Sequence, residues 1–166
     1  NLVRDFIPTA ANQLWVSDIS YIIIRPIDAQ PRFSYLSLVL DAYSEEIVGW
    51  SLGSTLETLY PIKALRMALC RIDGKKTELI HHSDRGCQYA SGEYVSLLKE
   101  HGISISMTES GDPKENAQAE RINNTMKNEL LKDCRFESEE EARMIIAEVI
   151  SFYNHERPHM SIDMMT

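Results

Sequence analysis

Three runs of strand length lie one after another near the start of the chain, separated by short turn-like breaks. They cover Leu14 to Ile24, Phe33 to Asp41 and Ile47 to Gly53. Val, Ile, Tyr and Trp are frequent in them, and residues of this kind favour strands. We therefore expect three successive antiparallel strands.

After these strands the pattern alternates between helix and strand. Apolar residues recur near a 3.6-residue period from Thr58 to Arg71, which predicts a helix that ends at Asp73-Gly74. The segments that follow predict a strand, a helix closed by Gly102, and a second strand; they are Glu78 to His82, Ser91 to His101, and Ile103 to Met107.

Two helix-start signatures follow. Asp112, Pro113 and Glu115 have the spacing of a cap, a first helical position and a capping-box acid, which predicts a long helix to about Lys132. The pair Ser138 and Glu141 repeats the signature and predicts a last helix to Asn154, closed by Arg157-Pro158.

The order of these elements predicts an α/β domain with a mixed five-stranded sheet flanked by helices, which is the order of ribonuclease-H-like folds. A dinucleotide-binding fold is set aside because no GxGxxG motif is present. We expect residues 1–12 to form an extended lead-in and residues 13–166 to form one core domain. Trp15 and Trp50 are expected in the core.

The composition limits the class of protein and the cellular environment that fit this chain. A hydrophobic content of 43% argues against disorder, and no apolar run reaches the roughly 20 residues that cross a bilayer. Three separated cysteines fit neither a disulfide framework nor a zinc site, which favours a reducing, cytoplasmic setting. Because the chain begins at Asn1 without a signal pattern, we expect a piece of a longer protein.

The net charge of −8 opposes contact with phosphates, so a DNA-binding role requires an offset. Either cations bound to a carboxylate cluster or a neighbouring domain could supply it.

Three acids stand out by position. Asp18 lies inside the first strand, where an ionised carboxylate is costly unless it is paired or metal-bound. Asp84 follows the fourth strand, and the two would be neighbours if the first strand is central. Glu120 lies one to two turns into the long helix. Together they would form an oxygen cage suited to Mg²⁺ or Mn²⁺, and two such ions can promote in-line phosphoryl transfer.

Each acid taken alone has a plainer explanation. Asp18 fits an edge-strand or paired acid equally well, Asp84 fits a turn-capping aspartate, and Glu120 fits a solvated helix residue. Glu115 and Glu109 compete with Glu120 for the third position. Asp28 and Asp41 are expected to be turn residues. Only the combination of the three acids indicates nucleotidyl transfer.

Four stretches carry a resemblance to a known family: LWVSDISYI, HHSDRGCQYAS, SMTESGDPKENAQAERINNTMKNEL and FYNHERPH. In this order they resemble the motifs of the integrase-type catalytic core of bacterial insertion-sequence transposases, which are related to retroviral integrases. The family's DDE triad falls on Asp18, Asp84 and Glu120, with 35 residues between the last two, as in its best-known members.

The resemblance implies a ribonuclease-H-like fold, two divalent ions, and cleavage and joining of double-stranded DNA at mobile-element ends and targets. It also implies self-association and a bacterial protein that works at the nucleoid. The family's N-terminal helix-turn-helix region, which reads the element ends, is absent from this sequence. Two local departures, Glu115-Asn116 and Glu120-Arg121, leave the triad intact.

The supporting residues surround the acids. We expect His82 behind Asp84 as an indirect support, and Tyr89 in the core. The residues expected to contact DNA share a basic or amide character, with a surface ion pair or plain solvation as the alternative for several of them. They are Arg85, Lys114, Asn116, Arg121, Asn124 and Lys127.

The sequence therefore favours a DDE transposase core, with two alternatives. The first is a ribonuclease-H-like nuclease that only hydrolyses. The second is an inactive remnant that binds DNA or protein and retains its acids as fold residues.

Overall fold

The computed structural model describes residues 1–4, 6–72, 78–109 and 113–156 of the chain. A five-stranded sheet lies at its centre, in the order β3-β2-β1-β4-β5. The strands are β1 (Leu14–Ile24), β2 (Arg32–Asp41), β3 (Ile47–Gly53), β4 (Ile80–Ser83) and β5 (Ser104–Met107).

Strand direction changes at β1. It pairs with β2 in antiparallel register, from Trp15 opposite Asp41 to Ile24 opposite Arg32, and β2 pairs with β3 in the same sense. On its other side β1 pairs with β4 in parallel register, and β4 pairs with β5 in parallel. The predicted mixed sheet, with its first strand at the centre, is confirmed.

Helices cover both faces of the sheet because successive side chains of a strand point to opposite faces. In β1, Val16 and Ile22 face one core cluster and Trp15 faces the other, where it is fully buried. Trp15 is a core residue as predicted, whereas Trp50 is half-buried and packs against the edge of the first cluster. The helices are α1 (Leu59–Leu69), α2 (Gly92–Glu100), α3 (Ala117–Thr125) and α4 (Glu139–Glu156).

The capping signals act as the sequence indicates. The Ser91 side chain accepts a hydrogen bond from the Tyr94 N–H at the start of α2, and Gly102 follows that helix at φ 68°, a conformation that glycine adopts without strain. At the start of α4 the Ser138 hydroxyl accepts from the Glu141 N–H at 3.0 Å. The Glu141 carboxylate accepts from the Glu137 N–H at 2.7 Å.

The prediction of one regular helix from Pro113 to Lys132 is wrong. A 3-10 turn over Pro113–Asn116 comes first, then α3, then a π-helical turn over Met126–Leu130. Hydrogen bonds from other elements fix the first turn, as described below. In the π turn the Leu131 N–H donates to the Met126 carbonyl at 2.9 Å, and both side chains are buried. Packing therefore overrides regular helix geometry here.

Other differences are shifts of element ends by one to two residues. Asp28 is in a turn as predicted. Asp41 is instead the last residue of β2, and its carboxylate caps the turn that follows by accepting from the N–H groups of Tyr43 and Ser44. The predicted signals at Asp73-Gly74, Asp112 and Arg157-Pro158 lie outside the described residues. No helix in the described part of the chain is both long and apolar enough to span a membrane.

Gly49 allows α1 to lie close against β3. A β-carbon at Gly49 would clash with the Ala64 carbonyl oxygen and lie 3.0 Å from the Ala68 nitrogen. We expect Gly49→Ala to lower the free energy of unfolding by about 2–3 kcal/mol, because the clash is with backbone. Urea unfolding followed by circular dichroism measures this.

The matched control is Gly92→Ala, at the exposed first position of α2, where a β-carbon meets nothing within 4 Å. It should be neutral or stabilising by up to about 1 kcal/mol, since alanine favours helix. Equal unfolding curves for the two variants would contradict the close approach of α1 to β3.

Candidate functional site

Asp18 and Asp84 are brought together by the sheet. The parallel register of β1 and β4 ends at Ser17 opposite Ser83. Asp18 and Asp84 are the residues that directly follow these two serines in the chain. Asp18 is partly buried within β1, whereas Asp84 is exposed where the chain leaves β4. The expectation that a central first strand makes these acids neighbours is confirmed.

Asp18 is held by two hydrogen bonds. One carboxylate oxygen accepts from the Ile19 N–H at 2.9 Å, and the other accepts from the Asn123 side-chain amide at 2.7 Å. Burial nevertheless raises the pKa of Asp18, and the charges of Asp84 and Glu120 raise it further. Asp84 and Glu120 therefore both lie within electrostatic reach of Asp18.

The Asp84 carboxylate is fixed by its own turn. It accepts a hydrogen bond from the Gly86 N–H at 2.9 Å. A β-carbon at Gly86 would itself lie 2.9 Å from the same oxygen. Glycine is therefore needed for this turn to hold the carboxylate so closely. The predicted turn-capping role of Asp84 is confirmed, and it uses one carboxylate oxygen, while the other accepts no hydrogen bond from the part of the chain that the structure describes.

Glu120 lies in the first turn of α3 and is partly buried. The segment that leads into α3 is tied to the sheet. The His82 ring donates from Nε2 to the Glu115 carbonyl at 2.8 Å, and the Asn116 amide donates to the Ser17 carbonyl at 3.1 Å. Both bonds connect the start of the Glu120 helix to the strand ends that carry the two aspartates.

Two further contacts hold α3 on the opposite side. Gln118 donates to the Ala42 carbonyl at 3.2 Å, and Arg121 pairs with the buried carboxylate of Glu45. Ala42 and Glu45 belong to the turn between β2 and β3. Glu120 is thus carried on a helix start that is bound to both halves of the sheet.

A buried polar network lies directly behind the acids. His81 Nε2 is 2.8 Å from the Ser17 hydroxyl and 2.9 Å from the Tyr94 hydroxyl. Burial lowers the pKa of His81 to about 3, so the ring is neutral. The adjacent His82 bonds the Ser106 hydroxyl at 2.9 Å, and burial lowers its pKa as well. His82 makes no hydrogen bond to any of the three acids, all of which are among the described residues, and its predicted supporting role stays a prediction.

The residues expected to contact DNA are spread over several environments. Arg85 donates from Nε to the Thr108 carbonyl at 2.7 Å, and Asn116 is buried, as described above. Asn124 is exposed, and the Lys127 ammonium lies 3.6 Å from the centre of the Tyr21 ring. The side chain of Lys114 lies outside the described residues. For all six residues, contact with DNA stays a prediction.

Sequence reasoning missed Asn123. The polar face of the helix was traced at four and seven residues from Glu120, through Asn124 and Lys127, whereas Asn123 lies three residues away. Positions three apart also share a helix face, so the spacing contained the signal. Only the structure distinguishes the two asparagines: Asn124 faces solvent and Asn123 is buried against Asp18.

The donor set fits a hard divalent cation, although the side chains are not drawn together around one. No three His, Cys, Asp or Glu side chains among the described residues are close enough to hold an ion as they stand. The acids offer oxygen donors, which Mg²⁺ and Mn²⁺ prefer. A cation would also relieve the repulsion that Asp84 and Glu120 exert on Asp18.

Comparison with known proteins decides the family. Two family descriptions, both named integrase core domain, match residues 8–113 and residues 101–166. The chain belongs to the integrase core domain family. Integrase-core relatives include the transposase for insertion sequence element IS904 of Lactococcus lactis, which is 34% identical over 98% of this chain. A 31 kDa protein of insertion element IS600 from Shigella sonnei is 39% identical over 95% of the chain.

This integrase core spans only part of those relatives, 63% of the first and 56% of the second. Solved structures agree on its fold. The HTLV-2 integrase catalytic core domain in complex with magnesium matches with a TM-score of 0.67 at 18% identity, covering 90% of both chains. The catalytic domain of the Mos1 mariner transposase matches with a TM-score of 0.65 at 13% identity, covering 84% of this chain and 70% of its own. The ribonuclease-H-like fold is confirmed.

Asp18 and Asp41 have contrasting surroundings, so replacing each one tests how its carboxylate affects the free energy of unfolding. Because burial and like charges raise the pKa of Asp18, its ionised form opposes folding at neutral pH. We expect Asp18→Asn to increase the free energy of unfolding at pH 7 in metal-free buffer. The gain should shrink as the pH falls through the raised pKa of folded Asp18, where the folded carboxyl regains its proton, and should be gone below the ordinary value of 3.8. Urea unfolding at several pH values measures this.

Asp41→Asn is the control and should act in the opposite direction. The Asp41 carboxylate is buried and accepts from the N–H groups of Asn12, Tyr43 and Ser44. An amide in its place presents a donor to backbone donors that cannot turn away, which should cost about 1–3 kcal/mol, whereas the Asn123 side-chain amide beside Asp18 can turn to offer its oxygen. A loss of stability in Asp18→Asn at pH 7 would contradict the strain assigned to that carboxylate.

Proposed function

We propose that this chain is the catalytic core of a DDE transposase that cleaves and joins DNA at the ends of a mobile element. The observation that carries the proposal is the parallel register that puts Asp18 beside Asp84, with Glu120 within electrostatic reach of Asp18. Membership of the integrase core domain family and similarity to a named transposase support it.

Asp18, Asp84 and Glu120 would hold the divalent ions, Mg²⁺ or Mn²⁺, two in the proposal. The HTLV-2 integrase core, which has the same fold, is in complex with magnesium. When bound, the ions would supply charge stabilisation for the attacking and leaving oxygens of an in-line phosphoryl transfer.

The chain's own residues orient these ligands. Asn123 and the Ile19 N–H fix the Asp18 carboxylate, and the Gly86 N–H fixes one oxygen of Asp84. The bonds from His82 and Asn116 hold the helix start that carries Glu120. The strand ends and the helix start are thus held in place, and a cation would need only to draw the carboxylates inwards, which reduces the free energy lost on ordering them.

The substrate of this core would be double-stranded DNA, both element ends and target. We propose self-association, since the solved HTLV-2 cores include dimeric and trimeric forms. Residues 13–166 would be the catalytic domain, after the lead-in of residues 1–12. Because the relatives are longer than this chain, a helix-turn-helix region elsewhere in the whole protein would read the element ends. The setting would be the bacterial cytoplasm, at the nucleoid.

The three acids can be tested together. We expect Asp18→Asn, Asp84→Asn and Glu120→Gln each to weaken Mn²⁺ binding and to reduce DNA cleavage by about a hundredfold or more, because each removes transition-state stabilisation. Calorimetry measures the binding, and nicking plus strand transfer on a labelled duplex measures the activity. The matched control is Glu129→Gln, an equal charge change in the π turn that should leave both nearly unchanged.

The products distinguish the alternatives. Nicks without joined products would favour a nuclease that only hydrolyses. Mn²⁺ binding that is as tight in all three variants as in the wild type, or absent from all four proteins, would contradict the proposed site and favour an inactive remnant that binds DNA or protein.

Lys127 is the predicted DNA contact whose position suits a phosphate best. It lies seven residues beyond Glu120, and its ammonium rests on the Tyr21 ring, three residues beyond Asp18. We expect Lys127→Ala to weaken duplex binding at low salt. The slope of log affinity against log salt should fall by about one, as for one lost phosphate contact. Fluorescence anisotropy over a salt series measures both.

Lys63 provides the control because it too lies over a tyrosine ring, 5.3 Å from the centre of Tyr60, but on α1. Lys63→Ala should leave the affinity and the salt slope nearly unchanged. The same loss in both variants would indicate general charge attraction and would contradict a specific contact by Lys127.

A further inference from the structure

The Tyr89 hydroxyl is buried with no hydrogen-bond partner among the described residues. The side chain is 2% exposed, and the hydroxyl oxygen itself is closed off from solvent. A buried hydroxyl without a partner costs folding free energy, and in native proteins such a group usually has a functional reason or an unseen partner.

Packing explains the Tyr89 ring but not its hydroxyl. The ring stands edge-to-face on Tyr94, with centroids 5.3 Å apart, and lies 6.3 Å from the His81 ring. Phenylalanine would make the same ring contacts. The neighbouring hydroxyls of Ser17 and Tyr94 are already bonded to His81 Nε2, so the network behind the acids is complete without Tyr89.

The carboxylates of Asp18 and Asp84 are candidate acceptors for a hydrogen bond from this hydroxyl. A β-carbon at Gly86 would lie 2.9 Å from an Asp84 carboxylate oxygen and 3.6 Å from the Cδ2 carbon of Tyr89, so the edge of the Tyr89 ring borders the turn that holds Asp84. Burial raises the pKa of Tyr89 well above its usual value, and the charges of Tyr94, Asp18 and Asp84 add to the rise. The hydroxyl thus remains a protonated donor, within electrostatic reach of both carboxylates.

We propose that the Tyr89 hydroxyl is a positioning donor for the Asp18–Asp84 carboxylate pair and makes its hydrogen bond, directly or through one water, when the pair holds a divalent cation. This rests on the proposed function, which assigns the cation to these acids. Ligating carboxylates are commonly hydrogen-bonded by residues that do not touch the metal, and such donors tune metal affinity. A carboxylate has lone pairs enough for both partners.

The substitution Tyr89→Phe removes the hydroxyl alone. The metal-free variant should unfold at the same urea concentration as the wild type or at a higher one, because a buried polar group without a partner is lost. Its Kd for Mn²⁺, measured by calorimetry, should be about tenfold weaker, the usual scale for loss of an outer hydrogen bond to a metal ligand. A merely structural hydroxyl would not move the two measurements in this way.

Tyr94→Phe is the matched control, since the Tyr94 hydroxyl has a partner in the fold. It should lower the urea midpoint, which establishes that the unfolding measurement detects a bonded tyrosine hydroxyl in this network.

The outcomes separate the two proposals. An unchanged Mn²⁺ affinity in Tyr89→Phe, with binding lost in Asp84→Asn, would overturn the role of Tyr89 and leave the metal site standing. A fall in urea midpoint as large as that of Tyr94→Phe would also overturn it, because the hydroxyl would then have a structural partner. Absence of saturable Mn²⁺ binding by the wild type would overturn both.

Discussion

The short parallel pairing between β1 and β4 is the interaction on which the rest of the site depends. It covers four residue pairs and ends one residue before the two aspartates. Parallel strands need a crossover between them, and here the crossover contains β2, β3 and α1. The chain therefore passes through β2, β3 and α1 before it reaches β4 and places Asp84 beside Asp18. A shift of one residue in this pairing would displace one acid from the other and turn it to the opposite face.

The second requirement is a fixed helix start, and buried neutral groups meet it. His82, Asn116 and Asn123 connect α3 and its first turn to β1 and β4 without adding charge near the acids. A lysine or arginine in their place would form ion pairs with the carboxylates and compete with any cation. Uncharged donors orient the acids and leave their charge available, at the expense of stability at Asp18.

Much of this arrangement could be predicted from the sequence, because its strongest signals are local. The three opening strands, the capping serines Ser91 and Ser138, and the order of elements come from periodicity and turn chemistry, and the structure confirms them. The break of the long helix could not be predicted, since it depends on bonds to strands far away in sequence. The pairing of Arg121 with Glu45 and the choice of Asn123 over Asn124 are likewise tertiary facts. Side-chain partners across elements are what a single sequence conveys least.

The wide spacing of the three acids along the chain also affects synthesis. Asp18 is made early, but Asp84 can join it only after β4 has been added to the sheet, and Glu120 comes later still. Because chains emerge from the ribosome with the N-terminus first, a partly made chain holds no complete set of acids. The set of three acids can therefore assemble only after the segment that carries Glu120 has been made, which follows from the order of the residues in the chain alone.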